Sequence, residues 1–348
     1  MKENIHYLEE NVVLYPAGHN TVIYNTEQKT QKFIPGTGES KGISALAVSA
    51  SKKYVAVAER AERGMVSVCD LHTLKRRKVL AAPDVLSKEY VSLAFSPDGK
   101  ILAAQGGAPD WTLVLWAWEK SKVIASAKAS NASSAPLYQV VFNPLEPNVL
   151  SVVGQGIFKM FRLAENNLKV MATSLGKREL AKYTCHAWLP DERGERCVVA
   201  SDKGEMLLVE GGEVRTALPN AMPDGNSIEC IKPYSKGFVC SGSGGVVSVF
   251  EKSEDRDSYK KSKSFRIEDH PQRILYLAVS PSEETLLCTL ETSQAFALGL
   301  SNSDVLKTED MKFELFSQSF HSTGITGVDT CVRKPLVATC STDRSVRI

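Results

Sequence analysis

Several short stretches carry residue types that could bind a nucleotide. Residues 154–156 (Gly-Gln-Gly) and 242–244 (Gly-Ser-Gly) begin like a dinucleotide-binding loop, and residues 36–41 (Gly-Thr-Gly-Glu-Ser-Lys) resemble a phosphate loop. In the first two stretches, Lys159 and Val247 stand where the third glycine is required. The third stretch lacks the Gly-Lys-Ser/Thr ending that places a lysine and backbone donors around a phosphate. The spacing therefore indicates no nucleotide site.

The sequence also lacks the residue spacings that hydrolysis or metal binding would require. The sequence contains no G-x-S-x-G motif, which would place a serine nucleophile on a sharp turn. The six histidines are scattered, and the neighbouring Cys185 and His186 are expected to point to opposite sides of one strand, which prevents a shared metal site. We predict no catalytic residue, no cofactor-binding residue and no metal ligand, and therefore no enzyme and no small-molecule substrate.

The composition is typical of a soluble intracellular protein. The chain has 348 residues, 43% hydrophobic and 24% charged, which is enough to bury a large core. No run approaches the roughly 18 apolar residues of a membrane span, and the N-terminus lacks an apolar signal core. The eight cysteines fall mostly inside strand patterns without a C-x-x-C pair, which favours a reduced compartment. We predict a cytoplasmic location and no membrane partner.

Nucleic-acid binding is weakly supported, because 42 Lys and Arg against 40 Asp and Glu leave a formal charge of only +2. Two basic clusters remain. Residues 75–78 (Lys-Arg-Arg-Lys) are predicted to protect the exposed edge of an outermost strand, with a partner contact as the alternative. Lys260, Lys261 and Lys263 belong to a segment of alternating charge, which we interpret as a solvated loop.

A motif that returns about every 47 residues organises the whole chain. Its clearest copy is 91–104, in which apolar and polar residues alternate, a Ser-Pro-Asp-Gly turn follows, and a second apolar run completes a β-hairpin. Equivalent turns lie 44 to 51 residues apart and begin at Ser49, Ser96, Asn143, Leu189, Pro233, Ser280 and Cys331. A period of this length is typical of repeat architectures.

Each unit continues with a third apolar strand and a more polar fourth segment. The third strands are predicted at 66–69, 113–116, 158–161, 206–209, 246–250 and 295–298. Four strands in a unit of this length make one blade of a β-propeller, and the repeat resembles the WD40 pattern. Only Trp116 keeps the tryptophan that ends a third strand, and the Gly-His opening is echoed only by Phe320-His321. We therefore expect the hydrogen-bonded network of regular WD40 blades to be mostly missing and apolar packing to hold the blades together.

The predicted fold class is all-β: a WD40-type propeller of seven blades, six complete and one composite. Residues 12–34 contain three strands without an innermost partner, and a spare strand lies near 325–331, so we expect these two segments to close the ring together. The predicted domains are a first propeller at 1–331 and the truncated start of a second propeller at 332–348. Phe95, Phe142 and Trp188 are expected to be buried at equivalent places in successive blades.

A more specific resemblance lies in segments that a generic propeller does not explain. They look like the N-terminal propeller of the cilia- and flagella-associated protein 57 family, and they are 13–20, 31–36, 115–120, 234–238, 250–252 and 333–341. The resemblance implies two tandem propellers followed by coiled coil, in a protein that sits in the axoneme and helps anchor inner dynein arms and regulatory complexes on doublet microtubules. The doublet microtubule itself is a further candidate partner.

Two functions from different classes follow. The first is a non-enzymatic axonemal scaffold; the alternative is a cytosolic WD40 adaptor that binds peptide motifs in its central channel, in trafficking or ubiquitin-ligase assembly. A rigid ring offers broad surfaces on which loops can vary without disturbing the core. The candidate contact loops are 61–64, 106–110, 129–134 and 191–196.

Overall fold

The computed structural model describes residues 3–130, 135–178, 181–190, 194–218, 222, 225–253, 258–267, 272–300, 311–316, 321 and 323–348. In these residues the regular structure is antiparallel β-sheet, with three 3₁₀ helices at Trp118–Lys120, Gly176–Arg178 and Ser243–Gly245. The all-β prediction is confirmed.

Seven four-stranded sheets follow one another along the described chain. The first contains β1 (His6–Glu9), β2 (Val12–Ala17), β3 (Asn20–Asn25) and β4 (Thr30–Pro35); the second, β5 (Ile43–Val48), β6 (Tyr54–Glu59), β7 (Met65–Asp70) and β8 (Arg76–Leu80); the third, β9 (Tyr90–Phe95), β10 (Ile101–Gly106), β11 (Thr112–Ala117) and β12 (Lys122–Lys128). The fourth contains β13 (Leu137–Phe142), β14 (Val149–Gly154), β15 (Ile157–Ala164) and β16 (Asn167–Met171); the fifth, β17 (Tyr183–Trp188), β18 (Arg196–Ser201), β19 (Met206–Glu210) and β20 (Glu213–Leu218).

The sixth sheet contains β21 (Ile228–Tyr234), β22 (Gly237–Gly242), β23 (Val246–Ser253) and β24 (Ser258–Arg266); the seventh, β25 (Ile274–Val279), β26 (Thr285–Leu290), β27 (Ala295–Gly299) and β28 (Glu314–Leu315). A three-stranded sheet follows, with β29 (Ile325–Thr330), β30 (Val337–Ser341) and β31 (Val346–Arg347). In each of the seven four-stranded sheets the first strand is innermost. These first strands contact each other from the second sheet to the seventh, and β25 of the seventh contacts β1 of the first. Each of these sheets is one blade.

Strict alternation along the strands explains why the sheets stack around a ring. In β11, Leu113 and Leu115 pack toward the fourth sheet, whereas Val114 and Trp116 pack toward the second. Successive side chains of a strand point to opposite faces, so a blade buried on both sides reads as a continuous apolar run. Every neighbouring pair of blades shares a buried cluster of this kind.

The predicted closure of the ring by a composite blade is wrong. Residues 12–34 pair with the short strand β1, which supplies their innermost partner, and His6 lies opposite Leu14. Tyr7 of β1 packs with Leu277 of the seventh blade in one buried cluster, which closes the ring. The sequence pattern missed β1 because this strand has four residues, of which only Tyr7 is buried.

The strand expected to close the ring lies in the last sheet instead. β29 pairs with β30, so the predicted boundary between 331 and 332 falls inside a hairpin. Ile325 and Val328 are 60% and 68% exposed, which shows that they do not pack against the N-terminal blade.

Three aromatic residues lie at equivalent positions in successive blades, as predicted. Phe95, Phe142 and Trp188 each lie near the end of an innermost strand, opposite the start of the second strand. Phe142 and Trp188 are buried, whereas Phe95 is half-buried against the ring of Trp118. Trp116 is fully buried, and its ring lies 5.7 Å from that of Tyr90.

The closure can be tested with two deletions. Removing residues 1–9 deletes β1 with the buried side chains of Ile5 and Tyr7, and we expect it to lower the free energy of unfolding by several kcal/mol, since each large buried side chain contributes about 2–5 kcal/mol. Removing residues 323–348 should leave the main unfolding transition in urea unchanged. The opposite order of effects would restore closure through the C-terminal strands.

Candidate partner-binding surfaces

The turns alternate between two ends of the blades, which gives the ring two faces. The hairpin face carries the turns between first and second strands and between third and fourth strands; in the third blade these are 96–100 and 118–121. The linker face carries the turns between second and third strands and the connections between blades, such as 107–111 and 81–89. Loops on either face can vary while the sheets stay packed.

The loops singled out in the sequence fall on both faces. Residues 61–64, 106–110 and 129–130 lie on the linker face, and 194–196 on the hairpin face, while 131–134 and 191–193 lie outside the described residues. The structure brings the first two loops together through the connection between the second and third blades. The amide of Gly64 donates to the Ser87 carbonyl (2.9 Å), and the Ser87 hydroxyl donates to the Gly107 carbonyl (2.9 Å). A partner contact for any of these loops stays a prediction.

The basic cluster at 75–78 lies largely on the exposed outermost strand β8, as predicted. Arg77 donates to the Asp70 carboxylate (2.8 Å), and Arg76 donates to the Pro35 carbonyl (3.2 Å). Charged side chains on an edge strand prevent pairing with another sheet. These contacts fit the edge-protection interpretation.

The structure corrects the loop predicted for the second basic cluster. Lys260, Lys261 and Lys263 lie within β24, a nine-residue outermost strand paired with β23, and not in a loop. Tyr259 and Phe265 of this strand are buried, and the residues between them alternate between more and less exposed. Every second side chain of this strand faces inward. The alternating charges along the sequence made this pattern hard to recognise.

The glycines that resembled nucleotide loops have a structural role on the linker face. Gly154 and Gly242 end second strands, and a β-carbon there would lie 2.3 Å from the Pro136 carbonyl oxygen and 1.8 Å from the Ser227 carbonyl oxygen, respectively. A β-carbon on Gly106, which ends the second strand of the third blade, would lie 2.4 Å from the Ser87 hydroxyl oxygen and 2.8 Å from the Thr112 carbonyl oxygen. The incoming connection passes so close to the sheet that only glycine fits.

The WD40 hydrogen-bond network, expected to be mostly missing, is present in the three-stranded sheet. The His321 ring lies 3.0 Å from the Asp343 carboxylate through Nδ1 and 2.9 Å from the Thr339 hydroxyl through Nε2. Ser345 donates to the same carboxylate (2.7 Å). Phe320, which precedes His321 in the sequence, is outside the described residues.

The third blade has a related network built from different residues. Asp110 accepts hydrogen bonds from the Ser87 hydroxyl, from the Thr112 hydroxyl (3.1 Å) and from the amide of Leu86 (2.9 Å). The carboxylate therefore ties a second-to-third-strand turn to the incoming connection. Because this network contains neither histidine nor tryptophan, a search of the sequence for those two residues does not find it.

A polar network crosses the central channel from the N-terminal segment. The Glu3 carboxylate accepts hydrogen bonds from Ser92 of the third blade and from Gln139 of the fourth, both at 3.0 Å. Asn4 accepts from Thr289 of the seventh blade (2.8 Å). Residues before β1 thus span the channel between opposite sides of the ring. Sequence reasoning missed them because nothing in residues 1–5 marks a buried contact.

Neighbouring innermost strands are also joined by a repeated side-chain contact. The Ser92 hydroxyl accepts from the amide of Val140 (3.1 Å), and the Gln139 side-chain carbonyl accepts from the amide of His186 (2.8 Å). The Cys230 sulfur accepts from the amide of Leu277 (3.4 Å). Because innermost strands of different blades do not pair, side chains satisfy their buried amides.

The hairpin face carries a wide groove of about 1020 Å³ across the fourth to seventh blades. Leu145, which is 56% exposed, and Pro190 give it apolar walls. Glu210 on its floor pairs with Arg196 and Arg215, each at 3.2 Å. This groove is a concave surface that could receive part of another protein.

Several side chains that could act as nucleophiles or metal ligands are buried between the blades. Cys185 and His186 point to opposite neighbours, since the Cys185 thiol faces the Ile228 carbonyl and the His186 ring lies 2.7 Å from the Ser151 hydroxyl. Burial lowers the pKa of His186 to about 3. Burial raises the pKa of Cys69 to about 11 and that of Cys288 to about 12.

In the described part of the chain, no group of three or more His, Cys, Asp and Glu side chains is placed to hold a metal ion. No helix among the same residues is long and apolar enough to cross a membrane.

The fold is that of solved propellers. The β-propeller domain of Myceliophthora thermophila Cps50 (Swd1) superposes with a TM-score of 0.64 at 13% identity, covering 89% of this chain and 97% of that domain. A chain of the mitotic checkpoint complex gives a TM-score of 0.68 at 14% identity, covering 84% of this chain and 88% of that chain. The WD40 family, described as WD domain, G-beta repeat, matches residues 313–348. The chain has a β-propeller fold, and its residues 313–348 match the WD repeat.

The resemblance to one group of ciliary proteins is confirmed. The chain is 35% identical over 400 aligned positions to cilia- and flagella-associated protein 57 of Mus musculus, covering 99% of this chain and 32% of that protein. Protein 57 A of Tetrahymena thermophila is 29% identical, covering 98% of this chain and 31% of its own length. Cilia- and flagella-associated protein 44 of Mus musculus is 27% identical, covering 100% of this chain and 19% of that protein. The chain thus spans about a third of the length of the first two relatives.

The buried His186 predicts a pH dependence of stability. In the unfolded chain an imidazole is protonated below its ordinary pKa of 6.5, whereas the folded pKa is about 3, so stability is complete above pH 6.5 and falls as the pH decreases toward 3. At pH 5 we expect a loss of about 2 kcal/mol from this residue, measured by urea unfolding.

The matched variants are His186→Gln, which should flatten the dependence, and His19→Gln on an exposed turn, which should not change it. His6, whose pKa burial and the Lys232 charge lower to about 3, should account for part of the remaining slope. An unchanged slope in His186→Gln would contradict the assignment.

Proposed function

We propose that this chain is a non-enzymatic scaffold of the axoneme in cilia or flagella, where its propeller surfaces dock or regulate inner dynein arms and associated regulatory complexes. The observation that carries the proposal is similarity along nearly the whole chain to proteins named as cilia- and flagella-associated. Those names support a ciliary or flagellar location. The dynein-arm role goes further and follows from what the family resemblance implies.

The geometry supports binding as the basis of this function. The chemically capable Cys and His side chains discussed above are packed between blades, where their pKa shifts keep them neutral. The exposed features are the groove on the hairpin face and the loops of both faces, which can contact another protein without disturbing the sheets. Proteins of the axoneme are accordingly the proposed partners, with the doublet microtubule as a further candidate.

The adaptor alternative required a peptide in the central channel. Glu3 crosses that channel and is hydrogen-bonded to Ser92 and Gln139, so a peptide entering from the linker face would have to displace it. This contact favours outer surfaces over full threading of the channel. The scaffold is therefore the function that we put forward.

The three-stranded sheet extends the proposal to domain organisation. Ile325, Val328 and Val346 are each at least 60% exposed, although β-branched residues on a sheet are ordinarily buried against a neighbour. We propose that this sheet belongs to a second propeller, as the relatives' greater length permits.

Loss of the full-length protein should impair ciliary beating by depleting particular inner dynein arms, while cilia still assemble. A scaffold acts only where it is bound, so the loss of inner-arm density should be proportional to the fraction of sites that lack the protein. Cryo-electron tomography of axonemes from a deletion strain, with the wild-type gene returned as the control, measures this directly. Normal inner-arm density and normal beating in the deletion strain would contradict the proposal, and so would a hydrolytic or phosphoryl-transfer activity of the purified chain.

A further inference from the structure

A pocket of about 410 Å³ lies on the linker face, at the seam where the seventh blade meets the first. It is lined by the buried side chains of Ile5 and Leu290 and by the half-buried rings of Tyr15 and Phe316. The turn between β2 and β3 and the turn between β26 and β27 also line it. Its volume is in the range of roughly 300–1,000 Å³ that is usual for binding pockets. We call it the seam pocket.

The seams that the chain crosses as it passes from one blade to the next are filled from the connection. Five of the six connections between consecutive blades place a buried apolar residue in the cluster that joins the two blades. No connection joins the seventh blade to the first, because the chain continues from β28 to the three-stranded sheet. The five residues are Val85, Ala129, Leu175, Met222 and Ile267.

The connection between the second and third blades shows where such a segment lies. The amide of Ala61, next to the β6–β7 turn, donates to the Lys88 carbonyl (3.2 Å), and the amide of Gly107, in the β10–β11 turn, donates to the Glu89 carbonyl (2.9 Å). The connection therefore runs between the second-to-third-strand turns of two neighbouring blades. The seam pocket lies between the corresponding turns of the seventh and first blades, so the equivalent space is open there.

Two polar groups of the seam pocket have no hydrogen-bond partner in the described part of the chain. Asn4 accepts a hydrogen bond from Thr289 through its side-chain oxygen (2.8 Å), which leaves its amide nitrogen without an acceptor. The Tyr15 hydroxyl has no partner there either, and burial raises the pKa of Tyr15, so the hydroxyl stays protonated. Both groups can donate to a peptide carbonyl, as the turns of other seams do to the connections.

Glu291 gives the seam pocket a negative charge. It is the charged residue among the described ones that line the pocket, and its side chain is 44% exposed. Its neighbour Arg273 lies 3.6 Å from Glu291 and 3.5 Å from Glu229, so one guanidinium group is shared between two carboxylates. A basic residue of a bound segment would complement Glu291, whereas an acidic residue would be repelled.

We propose that the seam pocket binds a peptide segment of a partner protein that carries a leucine or methionine side chain close to a basic residue. The apolar side chain takes the place that Leu175 or Met222 takes in its own seam, and the pocket is large enough to admit part of the flanking backbone as well. Burial of that side chain provides the affinity, and Asn4, Tyr15 and Glu291 provide orientation. The site goes beyond the axonemal role and does not depend on it, since it follows from how the ring closes.

A peptide copied from the chain's own fourth-to-fifth connection is a suitable probe. Residues 171–178 (Met-Ala-Thr-Ser-Leu-Gly-Lys-Arg) contain the seam residue Leu175 followed by two basic residues. The fluorescein-labelled octapeptide should bind the purified chain in a fluorescence anisotropy titration. The same peptide with aspartate in place of its leucine should bind about tenfold more weakly or not at all, because it loses the buried apolar contact and faces Glu291.

Two variants of the chain locate the binding site. Ala295→Leu places a larger side chain in the seam pocket and should weaken binding about tenfold or more, whereas Ala297→Leu makes the same change on the same strand outside the pocket and should stay within about twofold of the wild type. Glu291→Lys, on an exposed turn, should weaken binding about fivefold, and Glu314→Lys on the exposed strand β28 is its matched control. Thermal unfolding checks that each variant is folded; if Ala295→Leu is not, Glu291→Lys decides.

The proposal is overturned if the wild type does not bind the leucine peptide at up to about 1 mM, or if the leucine and aspartate peptides bind equally. It is also overturned if each variant binds as well as its control. Peptide binding that appears only after deletion of residues 1–2 would identify the chain's own N-terminus as the occupant, and self-association abolished by Ala295→Leu, without peptide binding, would identify a second copy. The dynein-arm proposal is judged separately, by axoneme tomography.

Discussion

Each blade has to be buried on both faces at once, and the rest of the structure depends on this constraint. A single sheet of four strands exposes an apolar surface on two sides, which only two further sheets can cover. The strands meet the requirement by directing alternate residues to opposite neighbours, as Val114 and Leu115 do. A linear stack would leave two apolar faces open at its ends, so the arrangement is stable only as a closed ring.

Closure explains features that look local. The first blade covers the seventh only when its innermost strand is present. The short strand β1 completes the first blade, and its Tyr7 packs against the seventh. The preceding residues then lie in the channel, where Glu3 links the third and fourth blades to the N-terminus. The blade edges need separate protection, and charged outer strands such as β8 provide it.

The sequence predicted what repeats and missed what occurs once. The apolar third strands recur six times and the turns seven times, and this period predicted six complete blades and the position of Trp188. The remaining blade was predicted as a composite of both chain ends, whereas β1 completes it. Strand β1 has no such support, because four residues carry too little periodicity to be recognised. The cluster at Lys260–Lys263 failed for the opposite reason: its alternating charges are conspicuous, whereas the two buried aromatics that define the strand lie six residues apart.

The division between interior and surface also bears on function. His186 and Cys197, which could react or bind a metal, lie between blades, where desolvation holds them in their neutral forms. The tight approach of the connections fixes glycines such as Gly242 on the linker face, which leaves little freedom there. The groove opens on the hairpin face, whose turns can vary while the sheets stay packed. A ring built in this way can change partners by changing turns while its core stays the same, and that property suits a scaffold better than an enzyme.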